Sequence, residues 1–232
     1  MTTRPAPGWI DRLPRHRLIG EFSMWSADLV RLAEDLARIS PHADILHIDV
    51  ADGVFAPAFL FFPDLVARMR SETALPIHVH LMVDDAVLLS QVEQFAEAGA
   101  DLISIHVENA AVAARALDLI AARGIAAGMV LRVETPVATV TPWLPRLQAL
   151  TLLGTAIGVK GQGLDPTATA RLDEARGLIA ATGQRILLCA DGGIRDTTVP
   201  LLRGAGAETV VLGSLAFGAP DLGARMAWLH AL

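Results

Sequence analysis

Side chains that are chemically suited to bind a metal ion occur in three apolar segments of the chain. His47 and Asp49 lie two residues apart, so both project from the same side of an extended strand. His80 lies in a second apolar segment and Asp191 ends a third. Two imidazoles and two carboxylates suit one divalent ion such as Zn, Mn, Fe(II) or Co. A lone His is more often a core residue, and a lone Asp is more often a helix cap. Spacing alone therefore leaves both a metal site and these structural roles open.

Glycine-rich turns indicate a second chemistry, which is phosphate binding. The turn of residues 158–163 contains Gly158, Gly161 and the only lysine of the chain, Lys160. Two further turns read Gly192-Gly193 and Gly213-Ser214. Backbone N–H groups in such turns can approach an anion closely. Any one turn could need glycine for structural reasons alone, and Lys160 could be a surface residue, but three such turns together favour phosphate.

Other side chains belong at the same strand ends. Ser23 ends the first apolar segment and is placed with the four candidate ligands. His106 and Glu108 could form hydrogen bonds at the site or serve in packing, and His78 is open between the same two roles. Met82 could be an apolar wall of the site or part of the core.

Short apolar segments alternate with amphipathic segments along the whole chain and supply the framework for these residues. The predicted strands are Leu18–Trp25, Asp44–Val50, Ile77–Met82, Leu102–Val107, Ala126–Leu131, Ala149–Leu153, Ile186–Ala190 and Thr209–Leu212. Ser26, Asp84, Asn109 and Asp165 are predicted to begin helices, and Gly99, Gly124 and Gly183 to end helices.

Eight continuously apolar strands separated by helices predict a parallel sheet buried on both faces. A single-domain α/β fold of the (β/α)8 TIM barrel type is the simplest arrangement, with residues 1–17 as an N-terminal arm and residues 18–232 as the barrel. Within the arm, Pro5–Pro14 is expected to be loose, with at most a short turn. Catalytic residues of such barrels lie at the C-terminal ends of the strands. An open doubly wound sheet is the alternative, but no G-x-G-x-x-G motif follows the first strand to support dinucleotide binding.

Composition excludes several classes of protein. Hydrophobic residues make up 53 % of the 232 residues, which excludes a disordered chain. A net charge of −6 without a basic stripe argues against nucleic acid as a partner. Cys189 is the only cysteine, so no intrachain disulfide is possible. Neither a secretory signal nor a membrane-spanning segment is recognisable, so we expect a cytoplasmic protein without a membrane partner, and its small-residue surface is compatible with a homo-oligomer.

Taken together, the motifs resemble those of the ribulose-phosphate 3-epimerase family from about Ser23 to Phe217. The most specific motifs are H-x-D-x-x-D-G from His47, H-x-M-V from His80 and D-G-G from Asp191, found in this order. Further matching segments are 23–28, 98–101 with His106 and Glu108, Thr135-Pro136 and Gly213-Ser214.

The resemblance implies a (β/α)8 barrel that epimerises carbon 3 of a phosphorylated ketose, either ribulose 5-phosphate or a related ketose phosphate. It implies that His47, Asp49, His80 and Asp191 hold one metal ion, and that Asp49 and Asp191 are also the acid and the base. The implied reaction passes through an enediolate, with one carboxylate on each face of carbon 3. Ser23 would form a hydrogen bond at the site, and the turns at Gly192-Gly193 and Gly213-Ser214 would bind the phosphate.

Several positions depart from the pattern of this family and place the identity of the substrate in question. The chain has Ala51 and Leu153 where the family has methionine, and Ala58 where it has asparagine. Lys160 interrupts the usual P-G-F-G-G-Q loop, Arg132-Val133 replaces an Asn-Pro or Lys-Pro pair, and Trp25 is unusual. We therefore expect a different ketose phosphate, with Arg132 and Lys160 adding positive charge near the mouth of the site.

Two other functions compete with the epimerase. A metal-dependent aldolase or isomerase could use the same ligands. A non-catalytic sugar-phosphate-binding barrel would not need two carboxylates facing an anion. A Schiff-base aldolase needs a lysine at a strand end, whereas Lys160 lies in a loop, and a decarboxylase of the D-x-K-x-x-D type lacks its lysine at position 51.

Overall fold

Eight parallel strands close into a barrel in the computed structural model, which describes residues 4–232. Each strand pairs with its neighbours in chain order, and the barrel closes where β1 pairs with β8. The strands are β1 Ile19–Ser23, β2 Ile45–Ala51, β3 Ile77–Met82, β4 Leu102–His106, β5 Ala126–Leu131, β6 Ala149–Leu153, β7 Leu187–Asp191 and β8 Thr209–Leu212. The predicted (β/α)8 barrel is confirmed, and the eight predicted strands match the observed ones to within two residues at each end.

Helices cover the outside of the barrel. They are α1 Leu32–Ile39, α2 Pro63–Glu72, α3 Asp85–Ala98, α4 Ala113–Ala122, α5 Ala168–Thr182, α6 Val199–Gly204, α7 Ser214–Phe217 and α8 Leu222–His230. Two short 3-10 turns, Val137–Val140 and Leu144–Arg146, replace a helix between β5 and β6. Among the described helices, none combines the length and the apolar character that crossing a membrane requires.

The predicted ends of α3 are confirmed. The Asp84 side chain accepts a hydrogen bond from the backbone N–H of Ala86, which satisfies one of the unpaired donors at the start of the helix. Gly99 ends the helix with a φ of 105°, a left-handed conformation that favours glycine.

Three other predicted helix starts are too early. Ser26 ends a 3-10 turn, and α1 begins only at Leu32. The Asn109 amide donates to the backbone carbonyl of Val83 and to Asp85 instead of capping a helix, and α4 begins at Ala113. The Asp165 carboxylate accepts from Thr167 in a turn that precedes α5. At Asn109 and Asp165 the polar side chain organises the connecting loop, which local sequence cannot distinguish from a cap.

The N-terminal arm contains a short turn, as the sequence allows, but it is packed against the barrel and not loose. Residues 1–3 of that arm lie outside the described residues. Trp9–Arg12 form a short 3-10 helix. Trp9 and Ile10 are buried in one apolar cluster with Ile19, Ile45, Leu102, Ala149, Leu187 and Cys189. Most of these residues begin strands, so the segment closes the end of the barrel opposite the site.

We expect Trp9→Ala to destabilise the fold by about 3 kcal/mol, because it removes a large buried side chain and leaves a cavity. Urea unfolding followed by circular dichroism measures this change in the free energy of unfolding. Trp228→Ala, at a partly exposed tryptophan of α8, is the matched control and should cost less. Equal losses for the two variants would contradict a structural role of the N-terminal segment in closing the barrel.

Candidate active site

Two histidines and two aspartates from three strands meet at the C-terminal end of the barrel. One possible ligand atom from each of His47, Asp49, His80 and Asp191 lies within 4.8 Å of the others. His47 and Asp49 lie on β2, and Asp49 is the register partner of His80 on β3. Asp191 ends β7 and is partly exposed, whereas the other three side chains are buried. The predicted ligands are therefore close enough to share one ion.

The surroundings of His47 fit a metal ligand. Its Nδ1 lies 2.8 Å from Oε2 of Glu21, while its buried Nε2 has no hydrogen-bond partner among the described residues. Nε2 lies 3.3 Å from Oδ1 of Asp49. When the ring is neutral, donation of its Nδ1 hydrogen to Glu21 leaves the lone pair on Nε2, which faces the other three candidate ligands. A divalent cation would satisfy this otherwise unpaired buried nitrogen.

A chain of hydrogen bonds orients His80. Its Nε2 lies 2.9 Å from Nε2 of His106, and Nδ1 of His106 lies 2.9 Å from Oε2 of Glu108. Burial lowers the pKa of His106 to about 4. Burial alone would raise the pKa of Glu108, but hydrogen bonds from His106 and Thr135 lower it to about 2. A neutral His106 therefore donates to the Glu108 carboxylate and accepts the Nε2 proton of His80.

This arrangement leaves Nδ1 of a neutral His80 without a proton. That nitrogen lies 3.2 Å from Oδ1 of Asp49 and 3.9 Å from Oδ2 of Asp191. A lone pair facing two carboxylates is the donor arrangement that a cation requires. His106 and Glu108, whose roles are open in the sequence, thus lie directly behind His80.

The two aspartates differ in acidity. Burial and the charge of Asp49 raise the pKa of Asp191 to about 6. Burial would also raise the pKa of Asp49, but the neighbouring His47 and His80 rings, when they carry positive charge, hold that pKa well below its usual value. Ser23 donates a 2.7 Å hydrogen bond from Oγ to Oδ2 of Asp49. One carboxylate is thus ionised while the other can carry a proton near neutral pH.

A cavity of about 350 Å³ opens above these residues. It is lined by the following residues from the predicted set: Ser23, Asp49, His80, Met82, Gly158, Gly161, Asp191, Gly192, Gly193, Gly213 and Ser214. His47, the remaining predicted site residue, is buried and is not part of the lining. Every sequence-predicted site residue therefore lies in or directly below one cavity.

The glycines of the turns allow close approach of the backbone. Gly193 has a φ of 70°, and a Cβ atom there would lie 2.7 Å from Cα of Leu164. A Cβ atom on Gly213 would lie 2.7 Å from Oγ of Ser26. The turns after β7 and β8 are thus packed tightly at one side of the cavity.

The two cations that were expected near the mouth occupy different places. Lys160 lines the cavity, donates from Nζ to the backbone oxygen of Trp25 over 2.6 Å and lies 4.6 Å from the centre of the Trp25 ring. Arg132 does not line the cavity. Its guanidinium stacks 4.1 Å from the ring of Phe55 and donates to the Phe55 backbone oxygen. Arg132 therefore holds the loop after β2, and Lys160 alone of the two adds charge to the cavity.

Two residues below the site belong to a buried polar layer, and the sequence assigned neither of them. The sequence pattern does not single out Glu21, and it leaves the role of His78 open between packing and the site. Oε2 of Glu21 lies 2.8 Å from Nδ1 of His47 and 2.7 Å from Nδ1 of His78. The signal for Glu21 was a carboxylate in an apolar strand, two residues before Ser23 and so on the same side.

A model of the Ribulose-phosphate 3 epimerase family matches residues 20–217, which include all eight strands except the first residue of β1. The chain belongs to the ribulose-phosphate 3-epimerase family. The resemblance that the motifs indicate is thus confirmed at the level of the family.

Curated members of the ribulose-phosphate 3-epimerase family match this chain over most of their length. Ribulose-phosphate 3-epimerase 2 of Cupriavidus necator is 36% identical over 204 residues, which cover 86% of this chain and 84% of that protein. Ribulose-phosphate 3-epimerase of Bacillus subtilis is 34% identical over 201 residues, covering 86% and 92% respectively. The enzyme of the same name from Escherichia coli is 34% identical, with 86% and 88% coverage.

Solved structures outside the ribulose-phosphate 3-epimerase family share the fold. Orotidine 5'-phosphate decarboxylase from Pyrococcus horikoshii superposes with a TM-score of 0.64 at 14% identity, covering 91% of this chain and 97% of that one. A 3-hexulose-6-phosphate synthase gives a TM-score of 0.64 at 19% identity, covering 92% and 96%. At these identities the similarity establishes the barrel only.

Proposed function

We propose that this chain is a metal-dependent epimerase that inverts carbon 3 of a phosphorylated ketose, which is ribulose 5-phosphate or a related ketose phosphate. The observation that carries this proposal is the pair of carboxylates, Asp49 and Asp191, that approach one cavity from β2 and β7 beside two histidines. Family membership supports the same reaction. Neither the aldolase nor the binding-protein alternative has a specific observation in its favour.

The proposed metal site consists of Nε2 of His47, Nδ1 of His80 and carboxylate oxygens of Asp49 and Asp191. Mixed nitrogen and oxygen ligands suit Zn, Mn, Fe(II) or Co. A divalent cation bound there supplies Lewis-acid stabilisation of the negative charge that develops on the substrate oxygens next to carbon 3.

Epimerisation needs a proton to leave one face of carbon 3 and another to arrive on the opposite face. Ionised Asp49 accepts the proton of carbon 3 at a carboxylate oxygen, and the planar enediolate forms. Protonated Asp191 then donates its proton to the other face. In the reverse direction the two residues exchange roles. The hydrogen bond from Ser23 orients the Asp49 carboxylate for this transfer.

The phosphate end of the substrate is assigned to the opposite side of the cavity. Backbone N–H groups of the turns at Gly158, Gly161, Gly192, Gly193, Gly213 and Ser214 are the proposed donors. The Lys160 ammonium adds the positive charge, and Met82 provides an apolar wall. The proposal further includes a cytoplasmic location, assembly as a homo-oligomer and no nucleic-acid partner.

Solvent deuterium exchange at carbon 3, followed by NMR, tests the reaction. Ketose phosphates of four, five and six carbons are incubated in deuterated buffer with the metal-loaded protein. Exchange together with formation of the second epimer is the expected result and names the substrate. A protein that holds one metal ion per chain and exchanges none of these substrates would refute the epimerase assignment.

We expect Lys160→Met to raise KM for the ketose phosphate about tenfold with little change in kcat, because Lys160 contacts the phosphate end and not carbon 3. A tenfold loss of binding corresponds to about 1.4 kcal/mol, which is in the range of one charge-assisted contact. Steady-state kinetics give both constants. Lys160→Arg keeps the charge and serves as the control. If Lys160→Met left KM unchanged or lowered kcat alone, Lys160 would have no role in phosphate binding.

A further inference from the structure

A fully buried carboxylate lies directly beneath the proposed metal ligands. The side chain of Glu21 has no exposed surface, yet three groups reach it from three other strands. Nδ1 of His47 and Nδ1 of His78 lie 2.8 and 2.7 Å from Oε2, and the Thr209 hydroxyl donates to Oε1 over 2.7 Å. Both carboxylate oxygens therefore have hydrogen-bond partners.

We propose that Glu21 is the positioning residue of His47, which it fixes in the orientation that turns Nε2 toward the metal. This inference rests on the proposed metal centre. A carboxylate can only accept a hydrogen bond from the ring, so Nδ1 of His47 carries the hydrogen, and Nε2 is the nitrogen whose lone pair a cation can use. A carboxylate behind a ligating imidazole also makes the ring a stronger donor to a cation.

The first strand supports both candidate ligands of β2 in the same way. Glu21 and Ser23 lie two residues apart on β1 and project from one side. Ser23 donates to Asp49, and Glu21 accepts from His47, which is the register partner of Ser23. Neither β1 side chain is among the proposed ligands, so both act through residues of β2.

The remaining partners hold Glu21 in place. Nε2 of His78 lies 2.7 Å from the Ser104 hydroxyl, which extends the cluster to β4. Space for that hydroxyl exists because residue 128 is glycine: a Cβ atom there would lie 2.0 Å from Oγ of Ser104. The cluster thus joins strands β8, β1, β2, β3 and β4 through side chains.

Stability alone is a weak explanation for this cluster. Buried ionic groups can often be replaced by apolar residues of similar volume without loss of stability, since removing charges from water is costly. The action of the Glu21 carboxylate on His47 explains why a charge lies beneath the candidate metal ligands. A purely structural role predicts an effect on unfolding and none on metal affinity.

Glu21→Gln separates these roles, because an amide oxygen can still accept hydrogen bonds from the histidines while the negative charge is lost. We expect the dissociation constant for Zn²⁺, measured by competition with a chromophoric chelator, to rise about 10- to 100-fold. Thr209→Val removes a hydrogen bond from the same cluster without touching His47, and should change the constant by less than about threefold, since the charge on Glu21 is kept. Thermal unfolding of each metal-free variant is recorded in parallel.

Equal Zn²⁺ affinity for Glu21→Gln and the parent would overturn the proposal, even if the metal-free variant unfolds at a lower temperature. If Glu21→Gln does not fold, Glu21→Asp, which keeps the charge but draws it back from His47, is measured in its place, and parental affinity again overturns the proposal. Asp191→Asn distinguishes the two levels of inference. If Asp191→Asn weakens Zn²⁺ binding and Glu21→Gln does not, the proposed metal centre is supported and the proposed role of Glu21 is refuted. A parent protein that binds no Zn²⁺ refutes both proposals.

Discussion

Asp49→Asn and Asp191→Asn should each lower the rate of carbon 3 exchange by about 10³-fold or more. Loss of a general acid or base alone costs about 10² to 10⁴ in rate. Each variant also removes one proposed metal ligand, because ligand atoms of both aspartates lie in the same cluster with His47 and His80. An amide nitrogen neither accepts the proton of carbon 3 nor balances the charge of a cation.

The measurement is the rate of deuterium incorporation from solvent, taken separately from each epimer of the substrate. Asp52→Asn is the matched control, because Asp52 lies three residues beyond Asp49 and outside the cavity lining. Its carboxylate accepts from the backbone N–H groups of Val54, Phe55 and Asp84. The control should keep its rate within about threefold of the parent, since it touches no reacting atom. Conversion of one epimer into the other at the parental rate in either Asp49→Asn or Asp191→Asn would exclude that residue as acid or base.

Removal of the divalent cation with a chelator should lower the exchange rate by about 10³-fold. Stabilisation of developing charge by a metal ion contributes several kcal/mol, and about 4 kcal/mol corresponds to this factor. The unfolding temperature should fall as well, because a ligand at 100 times its dissociation constant stabilises the native state by about 2.7 kcal/mol. Calorimetry and the exchange rate are measured on the same samples.

Restoring the chelated protein with Zn²⁺, Mn²⁺, Fe²⁺ or Co²⁺ one at a time identifies the ion that supports turnover. Asp191→Asn is the control, since a site that already lacks one ligand should lose little further rate on chelation. A parent that keeps most of its exchange rate after quantitative loss of metal would mean that the cluster at His47 and His80 is not used in catalysis.

The ligand cluster could be predicted from the sequence because the positions of its members follow from the regular geometry of strands in a barrel. Alternate residues of a strand share a side, which associates His47 with Asp49. The ends of parallel strands converge at one end of a barrel, which brings His80 and Asp191 to them. The strand boundaries followed from apolar runs, so the fold and the location of the site needed no tertiary information.

Other features depend on contacts between distant segments. The role of Glu21 cannot be read from the sequence, because its partners are fixed by the register of β1 against β2 and by barrel closure, which local patterns do not encode. Burial of Trp9 depends on the shape of the far end of the barrel. Arg132 could not be placed because its partner is the aromatic ring of Phe55, 77 positions away in the chain.

Closure of the barrel between its first and last strands sets an order of events during synthesis. Glu21 and Thr209 are 188 positions apart, and at about 5–20 residues per second the ribosome needs about 10 to 40 s to make the chain between them. Throughout this interval β1 has one edge without its native partner, and unpaired apolar edges are prone to join other chains. Aggregation is therefore expected mainly from the nascent chain, before β8 has been made. Molecular chaperones that bind the nascent chain should protect it most during this interval.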